Sequence, residues 1–221
     1  MREKFIYVLG AAAAILLVRN LNIILNVLPD EASQGAMYRI LFFHVPAWWT
    51  AGLAVMLSAG TSVAYLWTGK LKYDAISVSV TEVAVVFLCI GLTTGMIWAR
   101  IIWGIWWTWD ARLTSAFVCV LLYGGYLILR NGIADPTQRA KISAAFNLFA
   151  FADVPIVWYS IRFWRTQHPQ PMTLPPDMWS ALLWNWLTLI LLMTIFILLR
   201  LRQEEARRDI DGLRRLVHAH A

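Results

Sequence analysis

WSALLWNWLTLILLMTIFILL, residues 179–199, is an apolar run long enough to cross a bilayer. A hydrocarbon core about 30 Å thick needs roughly 20 residues of helix. Working outward from it, five further runs meet the same requirement, near 5–28, 45–67, 75–98, 114–130 and 143–161. The fourth is the shortest, and a Trp-rich segment ahead of it can lengthen it. Lipid offers no hydrogen-bond partners, so each run is predicted to satisfy its own backbone as a helix. The expected fold class is therefore an all-α polytopic membrane protein with six transmembrane helices, read as one domain over 1–221. Composition agrees: 60% of the 221 residues are apolar and only 14% are charged, where a soluble domain carries roughly a quarter. A disordered tail, a collagen-like fibre and an ordinary soluble domain are excluded.

The charges orient the spans. Arg2, Lys4, Lys70, Lys72, Arg130, Arg139, Lys141, Arg200, Arg202, Arg207, Arg208, Arg214 and Arg215 belong to one set of tails and loops. The other set holds Arg39, Arg100, Arg112, Arg162 and Arg165, and Arg19 lies within span one. The positive-inside bias thus predicts cytoplasmic termini at both ends. It also accounts for most of the net charge of +6 without nucleic acid. MREK followed by an apolar run resembles a leader, but the pattern resumes at Leu21 and no small-x-small site precedes a polar start; cleavage is not expected.

Three outward loops follow from this topology: PDEASQGAMYRILFFH at 29–44, ARIIWGIWWTWDARL at 99–113 and RFWRTQHPQPMTLPPDM at 162–178. The second concentrates Trp98, Trp103, Trp106, Trp107 and Trp109 ahead of Asp110 and Arg112. Read as a helix, it puts Trp103, Trp106 and Asp110 on one face, with Trp103 and Trp107 one turn apart. Gly104 would let something flat approach the backbone. An interfacial aromatic belt explains one or two Trp per helix end, not this density. His44 closes the first loop, at or just before the cap of span two, since Pro46 suits a first turn. His168 sits in the third loop, stiffened by Pro169, Pro171, Pro175 and Pro176. Each histidine alone reads as a cap or a solvated side chain. Together they fall on the face of the Trp cluster, where two neutral imidazoles can coordinate one iron from opposite sides. An aromatic shelf can lie along a porphyrin. Arg39, Arg100 and Arg112 could pair with propionates, and Asp110 could fix the loop by accepting indole or Arg hydrogen bonds.

WGIWWTWDARLT at 103–114, with one histidine before it and one after, is similar to the tryptophan-rich "WWD" signature of haem-handling proteins in cytochrome c biogenesis. The FHVPAWW segment, the six spans and the size narrow the likeness. The chain resembles the haem exporter protein C (CcmC) family of the system I maturation pathway, over all but its C-terminal tail. What the resemblance implies is a bacterial inner-membrane protein that holds haem b at the periplasmic face and passes it to a haem chaperone (CcmE). It implies work beside an ABC transporter, with ATPase subunit CcmA and membrane subunit CcmB, and a small membrane protein, CcmD. On this reading His44 and His168 are axial ligands, Trp103, Gly104, Trp106, Trp107, Trp109 and Asp110 form the platform, and Arg112, Arg100 and Arg39 meet propionates or the chaperone. On this resemblance the chain is expected to be a haem-handling protein and not an enzyme; with no Walker A pattern it cannot supply ATP-derived energy, which is expected of a partner subunit.

Cys89 and Cys119 lie in apolar runs, are not spaced as CxxC, and do not indicate a redox pair. No CxxCH is present for covalent haem attachment. Span five contains Asn147 and Asp153; Asp153, near mid-span, is read first as a hydrogen-bonding partner of a neighbouring helix and otherwise as part of a path for haem, and for Glu82 and Arg19 interhelical pairing or snorkelling is the default. Residues 199–221 read as a cytoplasmic helical tail, with Glu204 and Arg208 an i,i+4 pair. That tail could touch a partner or anionic lipid. His218 and His220 are too isolated for a metal site. Two other functions stay open. A b-type cytochrome subunit of a respiratory enzyme would place paired histidines within its spans. A permease would show inverted repeats or broken helices.

Overall fold

The computed structural model describes residues 2–169 and 173–219, with side chains over 3–169 and 173–214. Pro171 and His220 lie outside the described residues, as do the side chains of Arg2, Arg215 and His218. The chain is all-helical: α1 (Arg2–Asn22), α2 (Leu41–Thr68), α3 (Leu71–Trp103), α4 (Ala111–Asn131), α5 (Pro136–Phe151), α6 (Asp153–Phe163) and α7 (Pro176–Ala219). A π-helical turn, Ile23–Val27, extends α1, and a 3-10 turn, Ala36–Ile40, leads into α2. Six stretches are long and apolar enough to cross a membrane, with α5 and α6 together making one of them. Asp153 opens α6 two residues before Pro155. Proline has no N–H to continue the ladder and its ring crowds the preceding turn, which is why span five breaks at Ala152.

α2 and α3 form the most extensive helix pair. In lipid there is little hydrophobic drive between helices, so close contact and hydrogen bonds must hold them. Ala47, Ala51, Ala54, Ser58 and Ser62 recur every three or four residues on α2 and are all buried. They face small buried residues of α3, including Ser77, Thr81 and Ala84. Asn147 of α5 donates to Ser58 Oγ at 2.6 Å and to Thr81 Oγ1 at 3.2 Å, and Ser62 Oγ meets Ser77 Oγ at 2.9 Å. Asn147 thus joins α5 to both α2 and α3. Glu82 pairs with Arg200 of α7, and the Arg19 guanidinium lies 5.2 Å from the centroid of the Trp184 ring. Asp153 lies beside the Cys119 thiol of α4, and its Oδ2 has no hydrogen-bond partner among the described residues.

One proline is repaired from outside its own helix. Pro46 cannot donate to the Phe42 carbonyl four residues back. Asn185 of α7 donates Nδ2 to that carbonyl at 2.6 Å. The repair fixes α7 against the first turns of α2, where His44 sits. At the opposite end, Asp74 of α3 receives two bonds from Arg130 of α4, at 2.6 and 2.7 Å, and one from Arg208 of α7 at 2.7 Å. Glu204 closes the cluster through Arg208 at 2.9 Å, the expected i,i+4 pair. α7 runs on from its apolar portion into this cluster as a continuous helix to Ala219.

Candidate functional site

The three loops at the other end gather around one cavity. His44, Trp48, Trp98, Trp103, Trp107, Arg112 and His168 line it, with Gly91 and Gly95 of α3 at its wall. His44 departs from the sequence reading. It lies inside α2, in its first turns and only 8% exposed, because the 3-10 turn starts the helical path before Pro46. Pro46 is accordingly within the helix and not at its first position. The imidazole sits edge-on to two indoles, 5.8 Å from Trp98 and 6.5 Å from Trp48 between centroids. Two glycines make the room. A Cβ on Gly95 would come within 2.9 Å of His44 Cε1, and one on Gly91 within 2.8 Å of Trp48.

His44 Nδ1 lies 3.1 Å from Thr94 Oγ1. The single Thr94 hydroxyl proton is already directed at the Ile90 and Gly91 carbonyls, at 2.7 and 3.1 Å. With its proton on those carbonyls, the Thr94 oxygen can accept from Nδ1 of His44, the tautomer that leaves the lone pair on Nε2. His168 obeys the same logic. Its Nδ1 lies 3.0 Å from the Pro169 carbonyl, which can only accept. Burial, with the Arg112 cation next in weight, pushes the His168 imidazole below its ordinary range. It is neutral at pH 7, as a metal ligand must be.

Asp110 fixes the loops, though not through the partners expected of it. It caps α4, accepting from the Leu113 backbone N–H on Oδ1 at 2.9 Å. Its Oδ2 accepts from the Gln167 backbone N–H at 3.1 Å and from the Thr108 hydroxyl at 3.2 Å. Neither an indole nor an Arg donates to it among the described bonds. Burial raises its carboxyl, but the Leu113 and Gln167 amides together with the Thr166 and Thr108 hydroxyls outweigh that and hold it below the usual range. Gln167 directly precedes His168, so the carboxylate ties the Trp loop to the histidine loop.

The remaining candidates divide. α3 ends at Trp103, and Gly104 terminates it with a left-handed φ of 74°. Residues 104–110 are therefore not helical, and the shared face expected for Trp103, Trp106 and Asp110 does not form. The Gly104 Cβ position is open, so its role is the turn and not a close approach. Trp103 and Trp107 line the cavity; Trp106 and Trp109 do not, and are 54% and 75% exposed. Trp107 Nε1 is a buried donor with no partner among the described residues. Arg112 lines the cavity while donating to the Val157 carbonyl of α6. Arg100 instead donates to the Gly104 carbonyl at the end of α3. Arg39 is spent away from the cavity, on the Ile24 and Leu28 carbonyls and on Asp30.

Sequence reading did not single out Trp48, Gly91, Thr94, Gly95 or Gln34 as site residues. Gln34 accepts the Trp98 indole N–H at 2.8 Å, which joins the first loop to α3. The one available signal was the spacing of Gly91 and Gly95, one helical turn apart on a span otherwise rich in bulky residues.

Comparison with known proteins identifies the family. The family model described as "Heme exporter protein C" matches residues 1–215. The chain is similar to heme exporter protein C of Escherichia coli strain K12, 32% identical over 179 residues, covering 79% of this chain and 73% of the relative. It is 34% identical over 197 residues to that of Bradyrhizobium diazoefficiens, covering 84% of this chain and 73% of the relative. The Paracoccus denitrificans protein is 30% identical over 193 residues, covering 84% and 80%. With two histidines and a tryptophan-rich loop at one end of six candidate spans, and a family match over nearly its whole length, the chain belongs to the heme exporter protein C (CcmC) family of cytochrome c biogenesis membrane proteins.

Proposed function

We propose that this chain holds haem b in the cavity at the loop end and hands it on to a haem chaperone. The donor set fits a porphyrin iron. Two neutral imidazoles, each with Nδ1–H held by an oxygen acceptor, offer Nε2 lone pairs from different elements of one cavity. The walls are indoles, whose flat apolar faces suit a macrocycle. Arg112 and the unpartnered Trp107 N–H supply donors for propionate carboxylates. The observation that carries the reading is the placement of His44 and His168, remote in sequence, on a single Trp-lined cavity.

The two ligands are not alike. His44 is set in a helix repaired by Asn185 and hydrogen-bonded to a second helix. His168 is half-buried and hydrogen-bonded to its own loop neighbour. His168 is thus the ligand that swings away when haem leaves, and His44 is the one that stays. A periplasmic face for this end follows from the charge asymmetry of the loops. Membership of the Ccm system supports CcmE as the acceptor of the haem. It supports CcmA, CcmB and CcmD as companions in a bacterial inner membrane, with ATP hydrolysis supplied by CcmA. His44→Ala and His168→Ala in purified membranes test the assignment. Each is expected to lose the wild-type haem spectrum, and retention of that spectrum by both overturns it.

A further inference from the structure

We infer that Thr94 is a positioning residue for haem: its oxygen selects the Nδ1–H form of His44 and so aims the lone pair of Nε2 at the iron. The inference rests on the reading that His44 ligates haem. The geometry behind it is specific. The Thr94 hydroxyl has one proton, engaged by the Ile90 and Gly91 carbonyls within its own helix. Its oxygen faces His44 Nδ1 of the neighbouring helix at 3.1 Å as an acceptor with nothing left to donate. Moving the proton to Nε2 would leave that N–H facing the cavity and set the Thr94 oxygen opposite a bare Nδ1 lone pair, two polar groups without partners. Hydrogen-bond partners of this kind orient metal-bound histidines and raise their basicity.

Placement on α3 gives Thr94 a second consequence. Gly95, the next residue, presses the bare face of α3 against His44 Cε1. Ring position and ring tautomer are thus fixed by adjacent residues, one through absence of a side chain and one through a hydroxyl. Among the described residues His168 has no such partner in another helix, its Nδ1 being hydrogen-bonded within its own loop. The asymmetry between the retained and the released ligand is therefore written into α3.

The test is haem titration of the purified full-length chain, comparing wild type with Thr94→Val, Thr94→Ser and His44→Ala. Thr94→Val is expected to weaken haem binding by about tenfold or more and to alter the low-spin absorption and Raman signature, the range seen when such outer partners are removed. Thr94→Ser keeps the acceptor and is expected to match wild type. Equal affinity for Thr94→Val and wild type overturns the inference. Equal losses in Thr94→Val and Thr94→Ser overturn it too, by assigning the effect to packing. An unchanged spectrum in His44→Ala sinks the ligand reading beneath it, a result separable from the first two. Nitrogen-15 histidine spectra of the unsubstituted, haem-free chain need no variant to fold. They are expected to show the Nδ1–H form at His44, and the Nε2–H form overturns the inference.

Discussion

At the end away from the cavity, Asp74, Arg130 and Glu204 are each about 5% exposed or less and, with Arg208, lace α3, α4 and α7 together by charge. At the cavity end, the described ion pair is Arg39 with Asp30, whose carboxylate is largely exposed. There the elements are joined by single hydrogen bonds between loops and by indole edges. Buried ion pairs tolerate little rearrangement, because separating them strands a charge. Loop-to-loop hydrogen bonds near solvent can be exchanged with water. One end is thus built to stay and the other to let a part of itself go, which is what the haem handover proposed above requires.

The largest effect that would test this contrast is at Asp74. Asp74→Ala leaves Arg130 buried without its bidentate partner and should cost about 3–5 kcal/mol. Thermal unfolding in detergent measures it, and at low temperature the haem spectrum should keep its shape. An unchanged unfolding temperature would show that the two ends are not held differently. A pH titration sharpens the contrast from the other side. Proton and iron compete for the same His168 nitrogen, and burial and Arg112 disfavour the protonated form. Haem should therefore stay bound as pH falls through 6.5, the ordinary histidine value, and be lost only below it. Arg112→Gln, which removes the second of those causes, should move the loss to higher pH. A midpoint at or above 6.5 in the wild type contradicts the assignment. Asp110 gives the smallest effect. Asp110→Ala removes a helix cap, which typically costs about 1 kcal/mol. Asp110→Asn, an equally good cap, should keep that stability yet offer an N–H where Gln167 needs an acceptor. Faster haem release at nearly unchanged stability is the expected outcome for Asp110→Asn, read by stopped-flow absorbance. Equal behaviour of the two substitutions would show that the tie to Gln167 carries no weight.

How much of this was legible beforehand follows from which forces act locally. The six spans could be read because hydropathy and length are properties of contiguous residues. The Asp110 cap and the end of α3 at Gly104 are local as well, yet the Trp density of 98–109 invited a helical reading that the glycine cuts off. Pro46 suggested a helix start, and could not reveal that Asn185, well over a hundred residues away, restores the missing bond. Trp48 and Trp98 meet His44 only because α2 packs against α3 through small residues, a tertiary fact absent from either span alone. Arg39 looked free for a ligand because nothing near it in sequence betrays the carbonyls of Ile24 and Leu28, exposed where α1 ends in a π turn.

The carboxylate of Asp110 divides its labour between its two oxygens. One serves only the start of α4, and the other serves the loop that carries His168. Undocking that loop therefore spends a bond on the second oxygen and leaves the first untouched. In the proposed release the loop bearing His168 can lift without fraying the helix beneath the indoles, so departure of one wall does not bring down the floor.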